Sequence, residues 1–320
     1  MKKKILMITP FPPSDIGGAE SFACVLLEAL CKQFSVDLIT FKRKRQKVWR
    51  GLNLWEGLNI VNDLLKMVME KLGGKDYGTE RYDYDVLMTL GLNAGIVAYL
   101  SGKRYSITLL ALYKFSERNF IFKYICKKIL RRATYVFVEG EGGRKDVECF
   151  NLGILKVVQF THWCDQNIFF MKQRENPPIN ILFIGRPIPE KGKQIIKDCE
   201  KYFKNRKEVV FNYVEEVKYS NIAEYYQSAD ILVVPSLYAE GHTRVVVEAA
   251  SCGCAIITSD RGSLPEQVNG FGVSVPAIPV YFAFAIFKVI KDLRDYQVRS
   301  FKYAAQNFSE KNAEVFISRI

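Results

Sequence analysis

Histidine is almost missing from this chain: of 320 residues, only His162 and His242 are of that type. Zinc sites are built from clustered His and Cys. The eight cysteines contain no C-x-x-C pair, and Cys252-x-Cys254 is the only close spacing. No metal centre is expected, and the cysteines, most of them in apolar segments, read as reduced thiols of a cytosolic protein. Long apolar runs are missing too. The nearest to a spanning length, Val273 to Phe287, is broken by Pro276 and Pro279, which argues against a membrane-crossing helix. Three lysines at the amino terminus lead into a short apolar run and then Pro10 to Pro13, without a small-residue cleavage pattern. Lys4 to Thr9 therefore reads as a buried strand rather than a signal peptide. No internal repeat of solenoid length is visible, and no module that reads DNA or RNA.

What is present fits a globular protein of two domains. The length suits two units of about 150 residues each, and 49% hydrophobic residues with 13% aromatics can fill two cores. The net charge of +12 is uneven: residues 1–165 hold 26 Lys and Arg against 17 Asp and Glu, and the remainder contributes only +3. An anionic substrate or surface is expected on the basic side. Two stretches stand out. Lys42 to Arg50 carries six basic side chains with Trp49, followed by Trp55 and an amphipathic segment from Leu58 to Leu72. Tyr113 to Arg132 interleaves seven basic residues with Phe115, Phe120, Phe122 and Tyr124. Basic segments with aromatics suit anionic lipid headgroups; the plainer alternative is a solvated helix face beside a loop.

Strand-length apolar runs alternate with helix-period segments along the whole chain, which predicts doubly wound parallel sheets. The alternation pauses at Asn176-Pro177-Pro178 and restarts at Ile179, so the domain junction is expected between Asp165 and Pro178. Only Val209 to Val214 lies between the helix after Gly192 and the strand at Asp230, so the second sheet should be narrow. Several turns then fall at the carboxyl edges of these sheets, where open α/β sheets bind ligands. In Gly185 to Gly192, Arg186 and Lys191 can converge on a diphosphate, one as a planar donor fork and the other as a point charge. Such a pair offsets the charge on a departing nucleoside diphosphate without a metal. Glu240 lies in the turn after the strand Asp230 to Pro235, and Glu248 lies inside the next helix. Spaced in this way they can grip different parts of one extended ligand, since carboxylates accept hydroxyl hydrogen bonds well. The helix opening after Gly241 offers free N–H groups to a phosphate or sugar oxygen. Gly17-Gly18, between the first strand and helix, forms a similar anion-presenting unit. The alternative reading of the basic turn is simple exposure to solvent.

Taken together these segments resemble the retaining nucleotide-sugar glycosyltransferases of the GT-B fold, family 4, known as group 1 transferases. The resemblance rests on Gly17-Gly18-Ala19-Glu20, on Gly185-Arg186 through Glu190-Lys191-Gly192, on Pro235-Ser236 with Glu240-Gly241 and Glu248, on Gly262-Ser263-Leu264-Pro265-Glu266, and on Phe308-Ser309 with Ala313. It covers both ends of the chain and its whole second half. It implies two Rossmann-like domains facing across a cleft: an acceptor-side domain over 1–165, a donor-binding domain over 166–300, and a final helix over 301–320 that packs back on the first. It implies that Arg186 and Lys191 hold the donor diphosphate, Glu248 the ribose and Glu240 the transferred sugar. Backbone N–H groups of Gly241, His242, Thr243, Arg244 and Val245 would reach phosphate or sugar, and Gly17 and Gly18 would let the first loop approach the donor or acceptor. Backbone near Tyr213 to Glu216 would select the base. No cofactor or metal is implied. The Asp-x-Asp of Asp83-Tyr84-Asp85 starts a strand and is read as a decoy, and Gly140-Glu141-Gly142-Gly143 is only a partial dinucleotide fingerprint.

Two departures bear on catalysis. The family's first-domain histidine beside the donor sugar is replaced by Ala111-Leu112-Tyr113, and His162 stands in Thr161-His162-Trp163-Cys164-Asp165, where a structural role is expected. The resulting expectation is a cytoplasmic enzyme, peripheral on the inner face of the membrane. It would move a sugar from a nucleoside-diphosphate donor to a glycan or lipid-linked hydroxyl, with retention and without nucleic acid. The alternative is a catalytically degenerate GT-B protein that binds a nucleotide sugar or a partner.

Overall fold

The computed structural model describes residues 2–10, 17–40, 84–174, 178–215 and 217–320, and the backbone of 53–55. The basic stretch Lys42 to Arg50, the helix expected over 58–72, Asp83, and Glu216 lie outside these residues.

The chain folds into two parallel α/β sheets. The first joins β1 (Lys4–Thr9), β2 (Ser35–Thr40), β3 (Asn53–Trp55), β4 (Val86–Leu90), β5 (Tyr105–Leu109), β6 (Val136–Glu139) and β7 (Val157–Phe160) in the order β3-β2-β1-β4-β5-β6-β7. The second joins β8 (Ile179–Ile184), β9 (Val209–Val214), β10 (Ile231–Val234), β11 (Ala255–Ser259) and β12 (Val273–Val275) in the order β12-β11-β10-β8-β9. It has five strands to the first sheet's seven. Both orders reverse beside their first strand, β1 or β8, and such a switch point opens a crevice at the carboxyl ends.

Alternation along the buried strands explains why both faces of each sheet are covered. Ile5 and Met7 of β1 pack with Phe22 and Leu26 of α1 (Gly18–Gln33), whereas Leu6 and Ile8 face α2 (Leu92–Ser101) and α3 (Phe120–Arg132). In the second sheet, Ile181 and Phe183 pack with α5 (Lys193–Glu200) and α9 (Pro279–Lys291), while Leu182 faces α7 (Arg244–Ser251). The other helices are α4 (Gly140–Val147), α6 (Tyr219–Ser228) and α8 (Leu264–Gln267).

One expected element divides differently. Residues 301–307 do not begin a last helix; they end α10 (Leu293–Asn307), whose Ala304 is buried in the second domain together with Phe308. The chain then turns, and Ala313 and Phe316, the latter in the short α11 (Glu314–Ile317), enter the core of the first sheet. The return is therefore made by a short segment after Phe308. An apolar residue at 308 anchors α10 to its own domain, so the crossing falls after that residue. Among the described residues no helix is long and apolar enough to cross a membrane.

Candidate active site between the two sheets

A cleft of about 980 Å³ separates the carboxyl edges of the two sheets. Gly17 to Phe22, Leu110 to Tyr113, Glu139 and His162 line it from the first domain. Arg186, Lys191, Ser236, Tyr238 to Val245 and Glu248 line it from the second. Gly17, Gly18, Arg186, Lys191, Glu240 to Val245 and Glu248 are thus brought to one place. Tyr213 is not. Phe211 and Tyr213 point to the far face of the second sheet, where the Tyr213 hydroxyl donates to Glu200 at 2.8 Å and its ring packs near Phe183. The apolar wall of the cleft nearest β9 comes instead from Val217, Tyr219 and Ile222, which carry no signal in the sequence beyond ordinary helix periodicity.

The most tightly organised group is Glu240. Lys191 Nζ and Ser236 Oγ each lie 2.6 Å from its Oε1, and the Tyr238 hydroxyl donates to Oε2 at 2.7 Å. The ammonium also stands 5.1 Å from the Tyr238 ring centre. Burial pulls Lys191 down, but the Glu240 carboxylate and Tyr238 outweigh it and the net shift is upward, so the ammonium is charged. The backbone of Glu240 is fixed by the turn after β11: Ser263 N–H donates to the Glu240 carbonyl at 2.8 Å, and Gly262 lies beside it with φ +62°. A Cβ at Gly262 would fall 2.1 Å from that carbonyl oxygen, so only glycine lets the two turns meet.

Glu248 is 2% exposed and sits behind Arg244. Tyr226 donates to its Oε2 at 3.1 Å. Arg244 Nη2 lies 2.9 Å from Oε1, yet Oε1 has no aligned hydrogen bond, and Nη2 donates instead to the Tyr219 hydroxyl at 2.8 Å. Burial raises the Glu248 pKa against the pull of Arg244. The carboxylate is thus held by the Arg244 charge on one oxygen and by the Tyr226 hydroxyl on the other. Arg244 itself bridges the domains, since its Nη1 reaches the Trp163 carbonyl at 3.3 Å.

Glu139 and His162 close the floor from the first domain. His162 Nε2 lies 2.8 Å from Glu139 Oε1, and both side chains are nearly fully buried. Burial drives His162 far below its ordinary pKa, helped by Arg244 and His242, so the ring is neutral. Burial likewise pushes Glu139 up to about 8, although His242 and its backbone N–H pull the other way. Nothing in the residue pattern marks Glu139, because its partners are His162, just beyond the neighbouring strand β7, and His242 of the other domain. A second contact spans the same gap: the Glu266 carboxylate accepts the N–H groups of Glu141 and Gly142 at 2.7 and 2.9 Å, at the start of α4. A Cβ at Gly142 would lie 1.9 Å from Ser263 Oγ and displace that hydroxyl. The glycines of this turn therefore serve the approach of the second domain.

The raised Glu139 pKa has a sign that can be tested. A carboxyl whose pKa moves from 4.5 to about 8 on folding binds its proton more tightly in the folded state. Stability then falls as pH rises between those values and is level above them. Glu139→Gln keeps an acceptor for the His242 N–H and a donor for His162. It is expected to flatten that slope and to stabilise the protein at pH above 8 by roughly 1–3 kcal/mol. Thermal denaturation of both proteins across pH 5 to 9 reads it; parallel curves would remove the assignment.

Residues 165–277 match the family model described as "Glycosyl transferases group 1". An uncharacterized glycosyltransferase of Methanocaldococcus jannaschii is 28% identical over 173 residues, 42% of this chain and 44% of that protein. The chain thus matches less than half the length of that curated relative. Among solved structures, sucrose-phosphate synthase of Thermosynechococcus elongatus superposes with a TM-score of 0.73 at 17% identity, covering 99% of this chain and 98% of the other. Anabaena HepE in complex with UDP-glucose gives 0.72 at 15% identity, covering 99% and 100%. At such identities the superpositions speak to the fold.

Proposed function

From a GT-B fold whose residues 165–277 form a group 1 glycosyltransferase domain, we propose that the protein transfers a sugar from a nucleoside-diphosphate donor to a hydroxyl acceptor, with retention and without a metal. The observation that carries this reading is the Lys191–Glu240 pair held at 2.6 Å in the cleft, with Arg186 exposed at its edge. Arg186 forms no ion pair among the described residues, so its donor fork is free for phosphate oxygens. Lys191 keeps N–H donors beyond the one engaged by Glu240, and Glu240 fixes where they point. The first-turn N–H groups of α7 add positive potential on the same side. Glu240 accepts a hydroxyl of the sugar, and Glu248 accepts one from the ribose.

In the reaction the bond between the sugar's anomeric carbon and the diphosphate oxygen breaks, and a bond to the acceptor oxygen forms on the same face. The acceptor proton leaves with the diphosphate. Arg186 and Lys191 lower the barrier because the charge they meet grows as the leaving group departs. The UDP-glucose bound to Anabaena HepE supports a donor of this class. The acceptor, glycan or lipid-linked, enters from the first domain.

Screening UDP-, GDP- and ADP-sugars for thermal stabilisation identifies the donor. Arg186→Ala is expected to fold like the parent and to bind the selected nucleotide about tenfold or more weakly. Equal nucleotide affinity in Arg186→Ala and the parent would overturn the placement of the diphosphate. Nucleoside-diphosphate release that depends on added acceptor separates a transferase from a protein that only binds.

A further inference from the structure

Helix α3 is apolar on two sides. Cys126, Ile129 and Leu130 are buried against the first sheet. On the opposite side Phe120, Ile121, Tyr124 and Ile125 are 77, 70, 50 and 48% exposed. Helical spacing puts Lys127, Lys128 and Arg131 on that same outer side, one to two turns further along. The outer face is therefore apolar in its first two turns and basic in its last two.

This face is rigidly presented. The Asn119 side chain caps the helix by accepting the Phe122 N–H at 2.8 Å. The Asp146 carboxylate accepts the N–H groups of Tyr113, Lys114 and Phe115 at 2.6, 3.1 and 2.9 Å. Tyr113 lines the cleft, so the outer face of α3 is fixed to the cleft wall. The charge is one-sided as well. Residues 111–134 hold seven basic side chains and one acid, Glu117, which is taken by Lys114 at 3.3 Å. Next to the carboxyl end of α3, where Lys156 Nζ bonds the Arg131 carbonyl, Ile154 and Leu155 are each 89% exposed.

We propose that this face docks on an anionic phospholipid bilayer. The apolar turns enter the acyl boundary and the basic turns meet the headgroup phosphates, the combination that holds amphipathic helices at a membrane interface. A single-stranded RNA would stack on Phe120 and Tyr124 and leave the aliphatic Ile121, Ile125, Ile154 and Leu155 in water. Docking in this pose sets the first-domain side of the cleft close to the lipid surface, where a lipid-anchored acceptor hydroxyl would be found. That last step rests on the glycosyl-transfer reading; the docking does not.

Co-sedimentation of the full chain with vesicles tests it, using phosphatidylcholine alone and phosphatidylcholine mixed with phosphatidylglycerol. The parent is expected to bind only the mixed vesicles. Phe120→Ser/Ile121→Ser and Lys127→Glu/Lys128→Glu should each lower the partition coefficient by roughly tenfold or more. Raising salt should release the parent in part and the serine variant completely, because only the parent adds apolar insertion to screened charge. Both variants should melt like the parent, since these side chains lie outside the core. A parent that ignores anionic vesicles, serine substitutions without effect, or tighter binding to single-stranded RNA would each overturn the proposal. Stabilisation by the donor nucleotide, measured without vesicles, should be equal in all three proteins. Loss of that stabilisation everywhere refutes the transferase reading and leaves the docking result standing.

Discussion

Replacing Glu240 by alanine is expected to abolish sugar transfer almost completely, by about 10²- to 10³-fold in kcat/KM, the scale of a lost preorganised contact to the reacting groups. Three donors converge on this carboxylate within 2.7 Å: Lys191, Ser236 and Tyr238. The substitution removes a contact to the sugar and also releases the lysine that faces the diphosphate. A stability loss of about 3 kcal/mol accompanies it, because Lys191, with its side chain 20% exposed, is left without its counter-charge. Burial then acts on the ammonium unopposed by Glu240, so its pKa drops. Steady-state kinetics and thermal melts together read the effect. Glu240→Gln separates its parts, since the amide keeps an acceptor but loses the charge: it should recover part of the stability and little of the rate. Wild-type turnover in Glu240→Ala would end the assignment.

Gly262→Ala is expected to destabilise the protein by about 3 kcal/mol or more. The new Cβ would lie 2.1 Å from the Glu240 carbonyl oxygen and 2.5 Å from the Glu240 nitrogen, and neither backbone atom can rotate away. The residue also holds φ +62°, which a side chain resists. Both costs fall on the contact that places Glu240, so activity should fall along with the melting temperature. Gly18→Ala is the control, because nothing lies within 4 Å of its Cβ. Circular dichroism melts of the two variants should differ widely; a Gly262→Ala protein as stable as Gly18→Ala would show that the two turns are not held together in solution.

The parts of this molecule that announce themselves in sequence are those built from neighbours along the chain. Lys4 to Thr9 and Ile179 to Ile184 are read correctly as strands because buried parallel strands are continuous apolar runs. Arg186, Lys191 and Glu240 lie in the turns that follow β8 and β10, Glu248 lies in the helix that the second of these turns opens, and parallel topology delivers such turns to one edge. What stayed hidden depends on the gap between the domains. Glu139 carries no mark in the sequence, because a glutamate ending a strand looks like a solvated residue until His162 and His242 are placed around it. Arg244 enters the sequence reading only through its backbone N–H, yet its side chain is 6% exposed and bridges Glu248, Tyr219 and Trp163. Glu266 belongs to a recognisable turn, but its hold on α4 requires knowing how closely the domains approach. The Tyr213 side chain faces away from the cleft, whose lining on that side begins at Val217, and a preference for a base carried by backbone leaves no mark in side-chain pattern.

The short return after Phe308 also fixes an order of events during synthesis. Phe316 stacks on Phe137 at 4.4 Å and packs beside Phe22, and Lys3 bonds the Ile320 carbonyl across 317 positions of chain. A ribosome emits the strands of the first sheet early, whereas the ring that seals their core emerges only after the whole second sheet. The second sheet, β8 to β12, is drawn from one uninterrupted stretch and has no such wait. The first domain is therefore completed only after the second has been made, and until then its open apolar seam is exposed to whatever meets a nascent polypeptide.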